Sequence, residues 1–193
     1  MLTMPDKMSP VESAALSSIK GSGSRKRLEQ MCSGKLPANM ALNEGSTAPD
    51  FRLPADDGTE FSLSDCSEPV LLVFYPGDNT PVCTAQLCDY RDNISAFQGL
   101  GIKVVGISKD DRASHQAFKE KHNLPFALLT DSDCSVAEKF GARSLMGGMK
   151  RGVVLIGADN KVLYSHIESV ALFKRSAEEL KDVLQKLKQE GKV

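Results

Sequence analysis

The sequence predicts an α/β fold in which helices flank a central mixed sheet. Several short apolar runs have the length and continuity of strands that are buried on both faces. Charged segments with apolar residues at three- and four-residue steps alternate with these runs, as strand–helix–strand units require. A second hairpin pattern late in the chain precedes a closing amphipathic segment, which makes the predicted sheet mixed rather than purely parallel.

The individual elements follow from apolar spacing and from turn residues between the runs. The predicted strands, in chain order, are 51–53, 60–62, 70–75, 102–108, 126–129, 153–156 and 161–166. Turn residues at Asp57-Gly58 and at Gly157–Asn160 make the first and last pairs of strands hairpins. Four helices are predicted between and after these strands. The second and third span residues 111–122 and 135–140. The first has a buried face formed by Cys83, Leu87, Tyr90, Ile94 and Phe97, and the last has an apolar face formed by Leu180, Val183, Leu184 and Leu187. This order matches a thioredoxin-like architecture.

The chain of 193 residues predicts one domain, residues 44–193, preceded by an extension, residues 1–43. The extension is dominated by Ser, Gly, Met, Lys and Arg and has no long apolar periodicity, apart from a short helix predicted near residues 11–20. Its basic residues between positions 20 and 35 are Lys20, Arg25, Lys26, Arg27 and Lys35, against one acid, Glu29. A plain solvated extension, an organelle-targeting peptide and a binding segment all fit this composition.

Charge and hydropathy exclude several classes of partner. The formal net charge of −1 gives no electrostatic case for binding nucleic acid. No apolar stretch approaches the eighteen or more residues that span a bilayer, so we expect no membrane partner. Five cysteines, an odd number, without a secretory signal indicate a reducing compartment. We therefore expect a cytoplasmic protein, with organelle targeting by the extension as the open alternative.

The segment after the third predicted strand contains the candidate catalytic residues. Pro76–Asn79 is a cluster of helix and strand breakers. Thr80 is suited to cap a helix, and Pro81 to occupy its first position. Cys83 then lies in the first helical turn, where the positive helix end favours a thiolate, which is the reactive form of cysteine. Cys88 follows five residues later, and the two thiols suggest a nucleophile and a resolving partner.

The pattern Pro76-x-x-x-Thr80-x-x-Cys83 resembles the active-site signature of the peroxiredoxins. Its continuation through Cys88 and Arg91-Asp92 is similar to the bacterioferritin-comigratory-protein/peroxiredoxin Q subfamily. A proline, a threonine and two cysteines at this spacing rarely coincide after a strand, so the signal is specific.

The resemblance runs from about Glu44 to the C-terminus, roughly three quarters of the chain. Its opening segment, Gly45–Phe51, also resembles the entry segment of the family. The resemblance implies a thioredoxin-like fold and a peroxidase that works through a cysteine sulfenic acid. It also implies that no metal, haem or flavin is needed.

The resemblance assigns a role to each residue of the motif. Cys83 would be the thiolate that attacks peroxide, Thr80 would hydrogen-bond the thiolate and the peroxide, and Pro76 would shield the sulfur from water. The family also uses an arginine at the thiolate, and Arg151, directly before the strand at 153–156, is the matching position. The nearby alternatives to this arginine are Arg143 and Lys150.

The family implies that Cys88 resolves Cys83 as an intramolecular disulfide. Five residues of α-helix separate two Cα atoms by roughly 8.6 Å. A disulfide seldom spans more than about 7 Å between Cα atoms, so the first turns must unwind in each cycle. The alternative is that Cys88 is a packed helix residue and that the resolving thiol comes from another cysteine or from a partner protein.

Other cysteine chemistries fit less well. A thioredoxin motif needs two residues between its cysteines and this chain has four, while a plant-type ferredoxin needs a cysteine at position 91. No cysteine pair has zinc-finger spacing. Cys32, Cys66 and Cys134 are interpreted as incidental. The histidines are expected to be ordinary core or surface residues, two of them exposed in charged stretches; they are His115, His122 and His166.

The predicted function is the reduction of hydrogen peroxide and organic hydroperoxides, with thioredoxin or a glutaredoxin-like dithiol protein as the reductant. The resemblance implies a monomer or a weak homodimer. A peroxide-sensing redox switch, in which helix unwinding exposes a binding surface, is the alternative from another class of function. A non-enzymatic thioredoxin-fold module is a third and weaker alternative, because it has no use for Thr80 and Cys83 together.

Overall fold

The computed structural model describes residues 42–168 and 176–193 of the chain. The short helix predicted near residues 11–20 and the three interpretations of the basic extension fall outside the described residues. The domain boundary at residue 44 stays a prediction.

The described elements alternate between strands and helices. The strands are β1 (Arg52–Pro54), β2 (Glu60–Ser62), β3 (Val70–Phe74), β4 (Lys103–Ser108), β5 (Ala127–Thr130), β6 (Gly152–Ile156) and β7 (Val162–Ile167). The helices are α1 (Pro81–Asp92), α2 (Ile94–Gln98), α3 (Arg112–His122), α4 (Ser135–Lys139) and α5 (Ala177–Gln189), with a short 3-10 turn at Leu63–Asp65.

The central sheet has five strands in the order β5-β4-β3-β6-β7. β3 pairs in parallel with β4, and β4 with β5, while β6 runs antiparallel to β3 and to β7. β1 and β2 form a separate antiparallel hairpin. The sheet is therefore mixed, as the late hairpin pattern predicts.

β3 is the central strand, and all five of its residues are buried. Because side chains alternate along a strand, one face receives Leu72 and Phe74 and the other receives Leu71 and Val73. The first face packs against the β1–β2 hairpin and α4. The second face packs against apolar residues of α1, α3 and α5, and Cys83 belongs to this second cluster.

The strand register sets the position of the site. Phe74, at the end of β3, pairs with Gly152, at the start of β6. The residue before Gly152 therefore lies beside the loop that leads from β3 into α1. A side chain at position 152 would meet Ile167 and lie 3.0 Å from the carbonyl oxygen of His166, so only glycine lets β7 approach here.

The predicted strands, and the helices at 111–122 and 135–140, agree with the structure to within one residue at either end. The prediction of one continuous helix with a buried face from Cys83 to Phe97 is wrong in one respect. α1 ends at Asp92 and α2 begins at Ile94, which is only half-buried. Asn93 interrupts the helix at φ −109° and ψ 11°, and its side-chain amide donates to the carbonyl oxygen of Asp89 at 2.8 Å.

Candidate active site

Cys83 lies in the first turn of α1 and is completely buried. Thr80 is the N-cap residue and Pro81 opens the helix, as the sequence predicts. The first backbone N–H groups of a helix have no intrahelical acceptor and carry partial positive charge. The sulfur is thus placed where a negative charge is favoured.

Arg151, the residue directly before β6, reaches the sulfur of Cys83. Its Nη2 donates to Cys83 Sγ at 3.3 Å, and its Nη1 donates to Gln86 Oε1 at 2.5 Å. Arg151 is only 2% exposed, although arginine is rarely buried unless it is paired. A guanidinium beside a thiol in a buried environment stabilises the thiolate by a charge-assisted hydrogen bond.

Gln86 is part of the site but was missed by the sequence prediction. It is buried one helical turn after Cys83, and its Nε2 donates to Tyr90 Oη at 3.3 Å. Burial raises the pKa of Tyr90 well above its ordinary range, so the phenol stays neutral. The i, i+3 spacing from Cys83 was the only available signal, because it places Gln86 on the same helical face.

The structure distinguishes among the three basic residues that were candidates for the contact with Cys83. Arg151 contacts Cys83, whereas Arg143 forms an exposed ion pair with Glu138 Oε2 at 2.5 Å. Lys150 is half-buried, and its backbone N–H donates to the carbonyl oxygen of Ala142 at 2.6 Å.

Thr80 and Pro76 flank the site. The hydroxyl of Thr80 donates to the carbonyl oxygen of Gly77 at 3.4 Å instead of accepting from the first turn of α1, although Thr80 occupies the N-cap position. Its side chain is exposed, and Pro76 is half-buried at the exit of β3. In the described part of the chain, the hydrogen bond of Thr80 therefore goes to the loop and not to Cys83.

The loop before α1 is held by a buried polar cluster around Asp78. Asp78 accepts hydrogen bonds from Tyr75 Oη at 2.9 Å and from Ser114 Oγ at 2.8 Å, and its Oδ2 lies 2.9 Å from His115 Nδ1. The Asp78 and His115 side chains are 1% and 0% exposed. The expectation that histidines in the charged stretches are exposed is therefore wrong for His115, because its contact with the Asp78 carboxylate compensates its burial.

Burial alone would raise the pKa of Asp78. The hydrogen bond and charge of His115, together with the donors Ser114 and Tyr75, outweigh that effect and hold the pKa of Asp78 below its ordinary value. Burial, and then the charge of Asp78, raise the pKa of Tyr75. The cluster thus ties the loop to α3 through an ionised carboxylate.

Cys88 lies on the same unbroken helix as Cys83 and is half-buried. Its Sγ is 3.9 Å from Nδ1 of His122, the last residue of α3. Both thiols are free, and the helical spacing of their Cα atoms exceeds the span of a disulfide. A bond between them requires α1 to unwind locally.

Two other described cysteines lie away from this site. Cys66 is half-buried and Cys134 is buried, both in or against the opposite core cluster. Burial raises the pKa of the Cys66 thiol, and burial followed by the charge of Asp131 raises the pKa of the Cys134 thiol. Both effects disfavour the reactive thiolate. Cys32 falls outside the described residues.

The chain is similar in sequence and in fold to proteins of known family. The AhpC/TSA family profile matches residues 45–165. Peroxiredoxin Bcp of Bacillus subtilis is 38% identical over 132 residues, which cover 64% of this chain and 84% of that protein. Peroxiredoxin Q, chloroplastic, of Triticum aestivum is 41% identical over 127 residues, covering 65% of this chain and 58% of that protein. The crystal structure of peroxidoxin BcpB from Mycobacterium tuberculosis matches with a TM-score of 0.67 and 33% identity, covering 77% of this chain and 97% of that one.

The chain therefore belongs to the AhpC/TSA family, among the peroxiredoxins of the Bcp and peroxiredoxin Q type. It is a thiol-dependent peroxidase, which acts on a peroxide and is returned to its reduced form by a thiol reductant. The predicted thioredoxin-like fold is confirmed. These relatives do not favour the redox-switch alternative.

The described residues lack the features of a membrane span and of a metal site. No helix among them is long and apolar enough to cross a membrane. Within residues 42–168 and 176–193, no group of three or more His, Cys, Asp or Glu side chains has the arrangement of a metal site.

Proposed function

We propose that Cys83 is the peroxide-reactive thiol and that Arg151 is the group that activates it. The observation that carries this proposal is the 3.3 Å contact from Arg151 Nη2 to Cys83 Sγ. Both residues are buried, so the charge of the guanidinium is screened little by water. The positive end of α1 acts on the same sulfur.

The first step follows from these contacts. The Cys83 thiolate attacks one oxygen of the peroxide, the O–O bond breaks, and the sulfur becomes a sulfenic acid. Water or an alcohol leaves after the departing oxygen takes a proton. Arg151 stabilises the negative charge that develops on that oxygen. Thr80 turns its hydroxyl from Gly77 toward the peroxide, and Pro76 limits the access of water.

The second step joins Cys83 to Cys88. The first turns of α1 unwind, the Cys88 sulfur attacks the sulfenic sulfur, and an intramolecular disulfide forms with loss of water. Thioredoxin or a glutaredoxin-like dithiol then reduces the disulfide. Hydrogen peroxide and organic hydroperoxides are the proposed substrates, and small peroxides are favoured because the sulfur has no exposed surface.

The remaining proposals concern the whole protein. A monomer or weak homodimer is proposed from the family resemblance. The cytoplasm is the proposed location. Organelle targeting by residues 1–43 is the alternative, because the wheat relative is named as a chloroplastic protein.

The test is thioredoxin-coupled peroxide consumption by the wild type, Cys83→Ser and Cys88→Ser, with Cys66→Ser as the matched control. We expect no turnover by Cys83→Ser and wild-type turnover by Cys66→Ser. Cys88→Ser should stop after consuming about one peroxide per chain as the sulfenic acid, or about two per chain if it is oxidised on to the sulfinic acid. Full activity of Cys83→Ser would contradict the proposal, and sustained turnover of Cys88→Ser would assign resolution to another thiol.

A further inference from the structure

His122 stands next to Cys88 in a fixed geometry. Its Nδ1 is 3.9 Å from Cys88 Sγ, and its ring packs against Phe118 with 4.9 Å between the ring centroids. Arg91 Nη1 donates to the carbonyl oxygen of His122 at 2.6 Å. The imidazole therefore packs on its own helix, and the backbone at His122 is tied to α1.

The C-terminal half of α1 is anchored to α3 and α5, whereas its first turn is held by Arg151 through the reacting thiol of Cys83 and through Gln86. Beyond the Arg91 contact, Asp89 Oδ2 accepts from the backbone N–H of Ala177 at 2.8 Å, at the start of α5. Lys181 Nζ donates to Asn93 Oδ1 at 2.6 Å, just after the helix. When α1 unwinds, we therefore expect Cys83 to move and Cys88 to stay beside His122.

The electrostatic surroundings suit a proton acceptor. The described charged or titratable groups that face the ring are Cys88 and Arg91 from α1 and Lys121 from its own helix. Burial, followed by the positive charges of Lys121 and Arg91, lowers the pKa of His122. The imidazole is then neutral near pH 7 and has a free electron pair to offer.

We propose that His122 is the general base that activates Cys88 for disulfide formation. The inference rests on the proposed function, in which Cys88 resolves the Cys83 sulfenic acid. Nδ1 of His122 takes the proton from the Cys88 thiol, and the thiolate attacks the Cys83 sulfur. The S–S bond forms as the S–O bond breaks, and the departing hydroxide recovers the proton from the imidazolium to leave as water. Cys88 is oxidised and the sulfenic acid is reduced, with no further reactant.

Single-turnover kinetics test this role. We expect His122→Gln to form the sulfenic acid at the wild-type rate and to form the disulfide at least about tenfold more slowly. Slower resolution should also make the enzyme overoxidise at lower peroxide concentrations. Glu120→Gln, on an exposed residue of the same helix, is the matched control and should resolve at the wild-type rate.

A second measurement separates a base from a structural residue. In the Cys83→Ser background, alkylation of Cys88 is followed by peptide mapping from pH 5 to 9. We expect His122→Gln to lower the rate at pH 7 by about tenfold. We also expect added imidazole to restore the rate of a His122→Gly variant, which packing alone would not explain.

The outcomes distinguish the inference from the proposed function. Unchanged disulfide formation and Cys88 alkylation in His122→Gln would overturn the role of His122 and leave the Cys83–Cys88 pair intact. Slow disulfide formation that imidazole does not restore would also overturn the proposed role of His122 as a base. His122 would then have only a structural role. Sustained turnover of Cys88→Ser would instead remove the resolving role of Cys88, whatever His122 does.

Discussion

Arg151 donates to two buried acceptors, the sulfur of Cys83 and the amide oxygen of Gln86. This forked geometry distinguishes it from a lysine, which presents a point charge on a flexible chain. The Gln86 amide in turn donates to the Tyr90 phenol, so the guanidinium is oriented by a chain of side chains on α1. We therefore expect the proposed activation of the Cys83 thiol to depend on this orientation as well as on charge.

Replacing Arg151 by Gln should lower the second-order rate constant for peroxide by at least about 100-fold, because a preorganised charged donor at the reacting atoms is lost. Stopped-flow oxidation of the reduced protein measures this constant. Arg143→Gln is the matched control, since Arg143 pairs with Glu138 on the surface. A loss of less than about threefold in Arg151→Gln would contradict the role of Arg151.

At the level of structural elements, the side chain of Asp78 positions the loop before α1 against α3. The loop that leads into α1 is joined to α3 by the buried contacts of Asp78 with His115 and Ser114. Because the pKa of Asp78 is lowered on folding, its ionised form stabilises the native state. That contribution is fully present when the pH is above the pKa of the unfolded state, about 3.9. It is lost as the pH falls through the lower pKa of the folded state.

We expect Asp78→Asn to reduce the free energy of unfolding by about 1–3 kcal/mol at pH 7, because the negative charge and one of the two buried acceptor oxygens are lost. The difference from the wild type should stay level from pH 7 to about pH 5 and shrink as the pH falls below the unfolded pKa of about 3.9. Urea denaturation at several pH values measures both effects. Asp65→Asn, at an exposed carboxylate, is the control, and a pH-independent difference for Asp78→Asn would argue against the ionised pair.

Local patterns predicted the elements better than they predicted contacts between elements. The strand β3 and the opening of α1 follow from an apolar run, turn residues and a proline, all within a short stretch. The break at Asn93 depends on a single side chain that bonds back to Asp89, which periodicity does not detect. The contact between Asp78 and His115 joins residues 37 positions apart, and charge patterning favoured a surface histidine.

At the scale of the whole molecule, a five-stranded sheet with β3 at its centre separates two apolar clusters. The active-site helix covers one of these faces, so its position depends on the packing of the sheet below it. The spacing of Gln86 from Cys83 was too weak a signal to predict it as a site residue, since its partner Arg151 is brought to it by the pairing of β6 with β3.

Leu72 lies in the middle of β3 and is 0% exposed. We expect Leu72→Ala to lower the free energy of unfolding by about 2–5 kcal/mol, because it removes buried apolar surface and leaves a cavity. Urea denaturation measures the loss. Leu145→Ala is the matched control, since Leu145 is 96% exposed, and equal effects of the two substitutions would contradict the described core.

The central claim is that Cys83 reacts with peroxide and that Cys88 resolves it within the same chain. The most direct measurement is to treat the fully reduced protein with one equivalent of hydrogen peroxide, without reductant, and to map the cysteines by mass spectrometry. We expect one disulfide per chain, between Cys83 and Cys88, with Cys66 and Cys134 still reduced. Oxidation of Cys66 or Cys134 with Cys83 left as a thiol would contradict it.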